Sequence, residues 1–520
     1  MRRTTSTGGV MLAGVLSGVL GLAAPAARAQ DTPAQQPREI DIAAVSARML
    51  EQRAVRALLD GRFDEAREAL ERQVEAQPGS FAAWFNLACA RAQLGELDSA
   101  EAALSEAVEL GFCDGWTLAR EPLLDPIREH GLIGDLLGKW PAVLEARRAA
   151  NVERDGRLVG LRAEGRGRSE RVTLDALRVE VLSAHDGVST RQASGELGDI
   201  ARFFYSEVFD PPGENVGAYT PWATVVLPDT RGFRSWIASE FGPRALTGLS
   251  GLGGVYDHDA RRLVAQDLGA TLRHEFVHVL HWREMERLGQ TRAGRAHAAW
   301  IQEGLAALVE DVDRVGDRAG GRIEPVPSWR TNIVKRQLAG GRLPTLRDLT
   351  GLERGRFNTA RPLARYAHAR AVFMFLRERG QLRAFMDVYV RTIDNDPSGL
   401  AALGGVLEMT VDEVEAAFRA WLGALPAVPE TGSDLSATLG VEIEEGSGDG
   451  PEVVGLPTGA RSRTGLRLGS VITAIDGRPT RDMRELIRVL GSYRPGETVT
   501  LSHRRGRVHA ASEVVLLARE

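Results

Sequence analysis

Apolar positions recur with a helical period over the first third of the chain and return in the same register 34 residues later. Gly61 and Leu70, for example, recur as Gly95 and Leu104. A repeat of this length predicts pairs of antiparallel helices, in which small residues let neighbouring helices approach closely. We therefore expect helical repeats over residues 46–145, with a degenerate last unit that caps the stack.

Beyond residue 150 strand-like stretches come first and helices follow. Alternating residues over 177–182 and β-branched residues over 222–227 predict strands, and apolar pairs on either side of a turn predict a hairpin over 255–264. From 268 to 422 the pattern is mostly helical. A sheet followed by helices is typical of an α+β domain, which we place over 150–423.

The N-terminal period resembles that of the tetratricopeptide repeat (TPR). Trp84 and Leu87 fall on the first helix of a unit, Gly95 at its turn and Ala100 where its two helices meet. The resemblance implies a short TPR α-solenoid. Its groove would bind a peptide partner; the alternative is a brace that packs against the next domain.

Prolines and small polar residues mark a linker over 424–434. The segment that follows, 435–520, resembles a PDZ domain of the kind attached to secreted bacterial proteases. The resemblance lies in the T-L-G-V sequence at 438–441, the glycine-rich turn over 465–472 and the helix predicted over 483–490.

A PDZ domain is a small β-rich module that binds an extended peptide as an additional strand of its sheet. The resemblance implies that Leu439, Gly440 and Val441 form the loop that captures the C-terminal carboxylate of the peptide. C-terminal peptides are therefore the expected partners of this groove. The alternative is a PDZ fold whose groove is blocked and serves only for packing.

Residues 1–29 have the pattern of a secretory signal peptide. Two arginines precede an apolar run over 10–24, and small residues flank a cleavage point after Ala29. A polar linker over 30–45 follows. Because no later run is long and apolar enough to cross a bilayer, we expect an exported protein, periplasmic or extracellular, without a membrane span in the mature chain.

Composition and charge narrow the class of protein further. The chain has 520 residues, too many for one hydrophobic core. Hydrophobic residues at 43% and charged residues at 26% exclude collagen-like, disordered and multi-span membrane proteins, and a net charge of -5 gives no basic surface for nucleic acid. Cys89 and Cys113 are too few for a disulfide framework. We expect two buried thiols, with one disulfide as the alternative.

The most informative motif is His274-Glu275-Phe276-Val277-His278, in a helix predicted over 267–288. At positions i and i+4 the two imidazoles lie one turn apart on one face, as two ligands of one tetrahedral Zn²⁺ require. Glu275 then lies beside the metal, where its carboxylate can act as a general base toward water. The alternative is an ordinary helix without a metal.

The next predicted helix carries a further carboxylate. The sequence W-I-Q-E-G-L-A over 300–306 places Glu303 on an apolar helix that continues to Glu310, where a charge is costly unless it is paired or binds a metal. Here the chain resembles the gluzincins, zinc peptidases that complete H-E-x-x-H with a glutamate in a W-x-x-E-G-x-A context.

This resemblance implies a zincin-like α+β peptidase domain that binds one Zn²⁺ per chain. His274, His278 and Glu303 would be the metal ligands and Glu275 the general base. Glu310, seven residues after Glu303, would support the site through hydrogen bonds.

A third segment, Tyr366–Phe373, resembles the helix of aminopeptidase N-type gluzincins in which a tyrosine donates its hydroxyl to the tetrahedral intermediate. Tyr366 is therefore the candidate for stabilising the oxyanion. The alternative is a tyrosine packed in the core. His368 and Tyr256 are the next candidates for this role.

The chain departs from these families in ways that bear on the substrate. The gap between His278 and Glu303 is long, which predicts a loop over 289–295, and the segment 251–256 lacks the glutamate that anchors a free substrate N-terminus in aminopeptidases. This favours an endopeptidase. His281, seven residues after the first histidine of the motif, is an alternative ligand that the spacing disfavours.

These patterns predict a multidomain α+β protein: an exported zinc metallopeptidase whose TPR and PDZ modules recruit protein or peptide substrates. Two alternatives remain open at this point. One is a secreted TPR and PDZ scaffold with a gluzincin-like fold and no turnover, because a fold alone does not establish activity. The other is a zinc hydrolase that acts on a bond other than a peptide bond.

Overall fold

The computed structural model describes residues 42–519 apart from 162–168, 213–216, 243–252, 291–296, 316–321, 360–361 and 447–448. The predicted signal peptide and most of the linker after it lie outside these residues. Within the described ranges, no helix is both long and apolar enough to span a bilayer. The chain is a multidomain α+β protein that begins with helical repeats.

The first four helices form two antiparallel hairpins: α1 (Ile42–Leu59), α2 (Phe63–Ala76), α3 (Phe81–Gln93) and α4 (Leu97–Leu110). Ala88 and Ala100 are fully buried between helices, so the backbones pack closely. Gly61 and Gly95 stand at equivalent turns with φ of 71° and 76°, a conformation that glycine adopts without strain. The repeat predicted from the periodicity is therefore present.

Shorter helices continue this helical region up to the middle domain. They are α5 (Gly115–Arg120), α6 (Asp125–Arg128), α7 (Leu132–Gly138) and α8 (Trp140–Gly156). The predicted thiols are confirmed, because both cysteines are free and buried. Trp140 is fully buried and completes the core of the repeats.

The middle domain contains a mixed five-stranded sheet in the order β1-β2-β3-β5-β4. The strands are β1 (Glu170–Leu174), β2 (Val179–Ser183), β3 (Ala223–Leu227), β4 (Gly254–Asp257) and β5 (Arg262–Ala265). β2, β3 and β5 are parallel, whereas β1 and β4 are antiparallel to their neighbours. The hairpin predicted over 255–264 is confirmed, and β4 forms an edge of the sheet.

The strand predicted over 177–182 is present as β2, shifted to 179–183, and all five of its residues are buried. Two helices explain this burial. Helix α9 (Gly187–Phe203) packs on the face that carries Val181, and α10 (Thr230–Phe241) packs on the face that carries Leu182. A strand covered on both faces can be buried along its whole length.

Helix α11 (Ala270–Arg287) packs against β4, β5 and α9, and α12 (Ala299–Leu308) packs beside it. The region predicted as mostly helical also contains a hairpin, β6 (Val312–Val315) and β7 (Arg322–Pro325). The remaining helices are α13 (Trp329–Ala339), α14 (Leu346–Thr350), α15 (Arg354–Thr359), α16 (Pro362–Glu378), α17 (Leu382–Thr392), α18 (Leu400–Leu407) and α19 (Val411–Ala424).

The C-terminal module is a small β structure with two helices. Its main sheet has the order β14-β13-β11-β10-β9, with β12 paired to β11, and β8 pairs with β15. The strands are β8 (Ala437–Thr438), β9 (Glu442–Glu444), β10 (Glu452–Gly455), β11 (Val471–Ile475), β12 (Arg478–Pro479), β13 (Thr498–Arg505), β14 (Val508–Val515) and β15 (Leu517–Ala518). The helices are α20 (Ala460–Thr464) and α21 (Met483–Leu490), and the second has the bounds predicted from the sequence.

Buried ion pairs join the C-terminal module to the middle domain. Arg273 of α11 bonds Glu485 of α21, and Arg481 bonds Glu196 of α9 at 3.1 Å. These four side chains are at least about nine-tenths buried. Charges removed from water in this way need their partners, so these contacts hold the module against the start of α11.

Candidate metal centre

Helix α11 presents His274 and His278 on the same face, one turn apart. Both side chains are fully buried, and their Nε2 atoms lie 3.2 Å apart. This separation follows from regular helical geometry, since side chains at i and i+4 lie one above the other. The motif therefore brings two imidazole nitrogens to one point.

Glu303 reaches this point from α12. Its Oε2 lies 3.3 Å from Nε2 of His274 and 3.6 Å from Nε2 of His278. Among the described residues, this trio forms the one group of three or more such side chains with the spacing of a metal site. The two helices thus bring the three residues predicted as ligands together.

Glu310 lies just beyond the end of α12, which stops at Leu308 and does not continue to Glu310 as predicted. Its Oε1 still lies 2.8 Å from Nδ1 of His274. Arg330 holds the same carboxylate with two nitrogens, Nη2 at 2.8 Å and Nε. With Nδ1–H donated to Glu310, a neutral His274 has its lone pair on Nε2, which faces the other ligands.

The carboxylates and imidazoles of this centre strongly shift one another's pKa values. Burial alone would lower the pKa of His274, but the neighbouring carboxylates of Glu303 and Glu310 raise it to about 10. Burial would raise the pKa of Glu303, but the two imidazoles hold it well below its ordinary value. The pKa of Glu310 falls to about 2, because Arg330 and His274 outweigh its burial. The centre is therefore rich in negative charge.

Glu275 points into the same region but makes a different set of contacts. It is fully buried, and neither carboxylate oxygen has a hydrogen-bond partner. Burial raises its pKa to about 8, with the charge of Glu303 adding to the effect and that of His274 opposing it. A carboxylate with free lone pairs beside a metal site can accept a proton.

Two glycines allow the neighbouring elements to approach this centre closely. A Cβ at Gly254 would lie 2.8 Å from Cγ of Glu275, so edge strand β4 lies directly against the general-base candidate. A Cβ at Gly304 would lie 2.6 Å from the ring of Phe373, so α16 packs tightly on α12. Larger residues at either position would push the elements apart.

Tyr366 of α16 lies at the edge of the centre. Its ring centroid is 6.1 Å from that of His274, and its hydroxyl donates to Asn358 at 3.4 Å. Burial raises its pKa well above the ordinary value, and the carboxylates of Glu303 and Glu275 add to this shift. The phenol therefore remains a hydrogen-bond donor.

The side chains of Tyr256 and His368, the next candidates for stabilising the oxyanion, make their contacts away from the three metal ligands. The hydroxyl of Tyr256 lies 3.1 Å from Nδ1 of His258, and His368 stacks on Phe418 with ring centroids 5.6 Å apart. His281, the alternative metal ligand, contacts His297 instead.

The His281 contact joins its Nε2 to Nδ1 of His297 at 2.7 Å. The imidazole of His281 is thus bound to the segment that precedes α12, and not to the metal centre. Most of the loop predicted over 289–295 lies outside the described residues.

The donor set fits a zinc ion in both geometry and charge. Separations of 3.2, 3.3 and 3.6 Å match the edge of a tetrahedron whose corners lie about 2.0–2.1 Å from its centre, about 3.3 Å. Arg330 balances the charge of Glu310. No arginine or lysine of the described residues forms an ion pair with Glu275 or Glu303. Two buried carboxylates that form no such ion pair suit a divalent ion.

Sequence analysis did not single out three residues near this centre. Arg330 orients Glu310, Asn358 accepts from Tyr366, and Arg354 interacts electrostatically with Glu303 and Tyr366. All three lie on later helices without a local motif, so only the tertiary structure brings them here.

The predicted carboxylate loop of the C-terminal module lies between β8 and β9. Leu439 is buried, Val441 is half-buried, and Gly440 has a φ of 66°. Nη2 of Arg463 lies 3.4 Å from the carbonyl oxygen of Gly440, and Nη1 of this arginine has no hydrogen-bond partner. A guanidinium therefore stands beside the loop.

Comparisons with known proteins give partial matches. The family profile of the tetratricopeptide repeat matches residues 57–111, so this segment is assigned to that repeat. Over 86 residues the chain is 31% identical to proteins of Brucella suis and Brucella abortus described as probable periplasmic serine endoprotease DegP-like. The match covers 16% of this chain, and the chain spans 15% of the length of these relatives.

Among solved structures, the chain is similar to an aminopeptidase N family protein from Idiomarina loihiensis. The alignment covers 68% of this chain and 67% of that one, with 12% identity and a TM-score of 0.26. A TM-score this low does not establish a common fold.

Proposed function

We propose that this protein is an exported zinc-dependent peptidase that hydrolyses peptide bonds with a glutamate general base. The observation that carries the proposal is the buried triangle of His274, His278 and Glu303, with Glu275 beside it. Three protein ligands leave the fourth tetrahedral position open, as catalytic zinc sites do.

Each residue then has a defined task. A zinc ion held by the triangle would polarise the peptide carbonyl and lower the pKa of water. Glu275 accepts the proton of the attacking water and returns it to the leaving amine, and the nearby cation favours its charged form. Tyr366 donates its hydroxyl to the developing oxyanion.

Edge strand β4 is the proposed binding strand for the substrate. One side of β4 pairs with β5 and, among the described residues, no strand pairs with the other, so an extended peptide can add there beside Glu275. The segment 251–256 lacks a glutamate that would anchor a free N-terminus. We therefore propose cleavage within a chain, as an endopeptidase.

The flanking modules would recruit substrates or partners. TPR repeats present a groove for a peptide, and the C-terminal module carries the 438–441 loop and the 483–490 helix on which the proposed PDZ domain rests. The description of the DegP-like relatives as periplasmic agrees with export by the proposed signal peptide.

Metal analysis and peptide cleavage together test this proposal. Purified wild-type protein should contain one zinc per chain, and His274→Ala should lose it, whereas His130→Ala in the repeats should keep it. Glu275→Gln should retain zinc and lose roughly 10²- to 10⁴-fold in kcat on casein or peptide libraries. Glu284→Gln, a buried glutamate elsewhere on α11, is the matched control.

The same measurements distinguish the alternatives. If wild-type protein binds zinc and cleaves no peptide, the peptidase proposal is wrong, and a scaffold or another hydrolase remains. If it binds no zinc at all, the metal assignment itself is wrong.

A further inference from the structure

We propose that the C-terminal module captures the free C-terminus of a substrate and directs the residues before it into the metal centre. The cut then falls at a fixed distance from the substrate C-terminus. This inference rests on the proposed peptidase function and specifies its substrate class. It is carried by the positions of two edge strands and of the segment between them.

The first edge strand is β9, which has a wall of apolar residues beside it. Val441 and Ile443 are half-buried and pack on the core of the module, whereas the alternate residues Glu442 and Glu444 are exposed. Met483 of α21 packs on the same core. A peptide that pairs with β9 can therefore place alternate apolar side chains toward α21.

One end of this groove suits a carboxylate. Gly440 turns the chain with a φ of 66°, and Arg463 lies against its carbonyl with a buried Nη1 that lacks a partner. No carboxylate among the described residues forms an ion pair with Arg463. A C-terminal carboxylate would supply the missing negative charge.

The opposite end of the groove touches the segment that leads into α11. Glu445, just after β9, accepts the backbone N–H of Met483 at 3.3 Å. Two residues earlier, Arg481 packs on Gly269, where a Cβ would lie 2.7 Å from Cβ of the arginine. This end of the groove therefore lies next to the start of the helix that carries His274.

The second edge strand begins close by. The backbone N–H of Gln266 donates to the carbonyl of Gly253 at 2.8 Å, so the residues 266–269 connect the start of β4 with the end of the groove. The three residue steps from 266 to 269 span at most about 10 Å, and Gly269 in turn contacts Arg481 beside the groove. A short continuous run of contacts therefore joins the two edge strands.

The two strands also impose the same chain direction. A peptide antiparallel to β9 has its C-terminus at Gly440 and its upstream residues at Glu445. In a peptide antiparallel to β4, the residues on the C-terminal side of the cut lie at Gly254, the start of this strand. Antiparallel pairing is the more stable arrangement, and with it one chain can occupy both strands without reversing.

Two of the acids along this path already accept backbone N–H groups. Glu444 is exposed, whereas Glu445 accepts the backbone N–H of Met483, and the carboxylate of Asp267 accepts those of Gly269 and Thr271. The apolar wall beside β9 favours substrates with an apolar C-terminal residue. Because the C-terminus and the reacting peptide bond are held at two fixed points of the molecule, the number of residues between them should be constant.

Matched peptides of one sequence, with either a free C-terminal carboxylate or a C-terminal amide, test this directly with the zinc-loaded full chain. We expect the acid to be cleaved with a kcat/KM at least about 10-fold above that of the amide. Lengthening the segment between the cut and the last four residues should move the cut, as read by mass spectrometry, so that its distance from the C-terminus is kept.

A binding measurement and a variant pair support the same test. The Glu275→Gln protein should bind a fluorescent acid peptide at least about 10-fold more tightly than the amide. Arg463→Gln should abolish this preference, whereas Arg461→Gln, an exposed arginine two residues earlier, should preserve it.

Equal cleavage of acid and amide, or a cut that stays with the local sequence when the tail is lengthened, would overturn this inference and leave the peptidase intact. Tight binding of the acid without any shift of the cut would also overturn it, because capture would then not direct cleavage. Failure to cleave any peptide would instead overturn the proposed function on which it rests.

Discussion

Two buried clusters of histidine, glutamate and neighbouring charges lie on the same helix, α11, and they are built differently. The cluster toward its N-terminus consists of His274, His278 and Glu303. The cluster toward its C-terminus joins Glu286 to His258 and Arg261. In the second cluster, Oε1 of Glu286 lies 2.9 Å from Nε2 of His258 and also accepts from Arg261.

The difference lies in where the polar atoms point. The carboxylate of Glu286 has a guanidinium and an imidazole as partners, so this carboxylate needs no added group. In the N-terminal cluster three donor atoms converge on one point, and neither oxygen of Glu303 has a hydrogen-bond partner. Buried polar atoms without partners are rare in folded proteins, so the comparison separates a ligand site from a structural ion pair.

The largest effect is expected for Glu303→Gln. The amide is a far weaker metal ligand than the carboxylate, so zinc affinity should fall on the order of 1000-fold, or about 4 kcal/mol. Competition with a chelating dye measures this loss. Glu286→Gln is the reciprocal control and should leave zinc affinity unchanged; equal losses in both variants would remove the distinction between the clusters.

Glu286→Gln should instead lower the free energy of unfolding by about 3 kcal/mol at pH 7. Burial opposes ionisation of Glu286, but Arg261 and His258 lower its pKa from 4.5 to about 2. A lowered pKa stabilises the fold above pH 4.5, and this contribution disappears as the pH falls toward 2. Urea unfolding of metal-free protein from pH 7 to pH 3 should show the two proteins converging; a constant difference would contradict the assignment.

The sequence predicts the N-terminal cluster well and the C-terminal cluster not at all. His274, Glu275 and His278 occupy one regular helix, so their spacing fixes their relative positions. Glu303 stands in a helix motif of its own. Glu286 shows no such pattern, because its partners come from the turn between β4 and β5, and only the packing of that hairpin brings them together.

Other differences between the predictions from sequence and the structure also come from contacts between distant parts of the chain. Glu310 was placed on the helix of Glu303 by its spacing, yet α12 ends at Leu308 and the side chain reaches His274 from the following turn. Arg330 comes from a helix beyond the β6–β7 hairpin. The burial of β2 depends on helices that cover both faces of the sheet. Local periodicity predicts the elements, whereas these contacts depend on how the elements pack.

The smallest effect is expected for Glu310→Gln. This change tests whether the contact between Glu310 and Nδ1 of His274 strengthens zinc binding by this imidazole. The amide oxygen can still accept from Nδ1 of His274, but it no longer carries the charge that raises the basicity of this imidazole or neutralises Arg330. Zinc affinity should therefore fall about 10- to 100-fold, as for other residues that orient metal ligands.

Glu284→Gln is the matched control for this change. Glu284 is equally buried on α11 and accepts from Tyr205 at 3.2 Å and from Arg287 at 2.7 Å, away from the centre. Both substitutions should lower stability, since each disturbs a buried arginine contact, but only Glu310→Gln should weaken zinc binding. If both variants keep wild-type zinc affinity, Glu310 has a structural role like that of Glu286. The metal centre is then limited to the three ligands and Glu275.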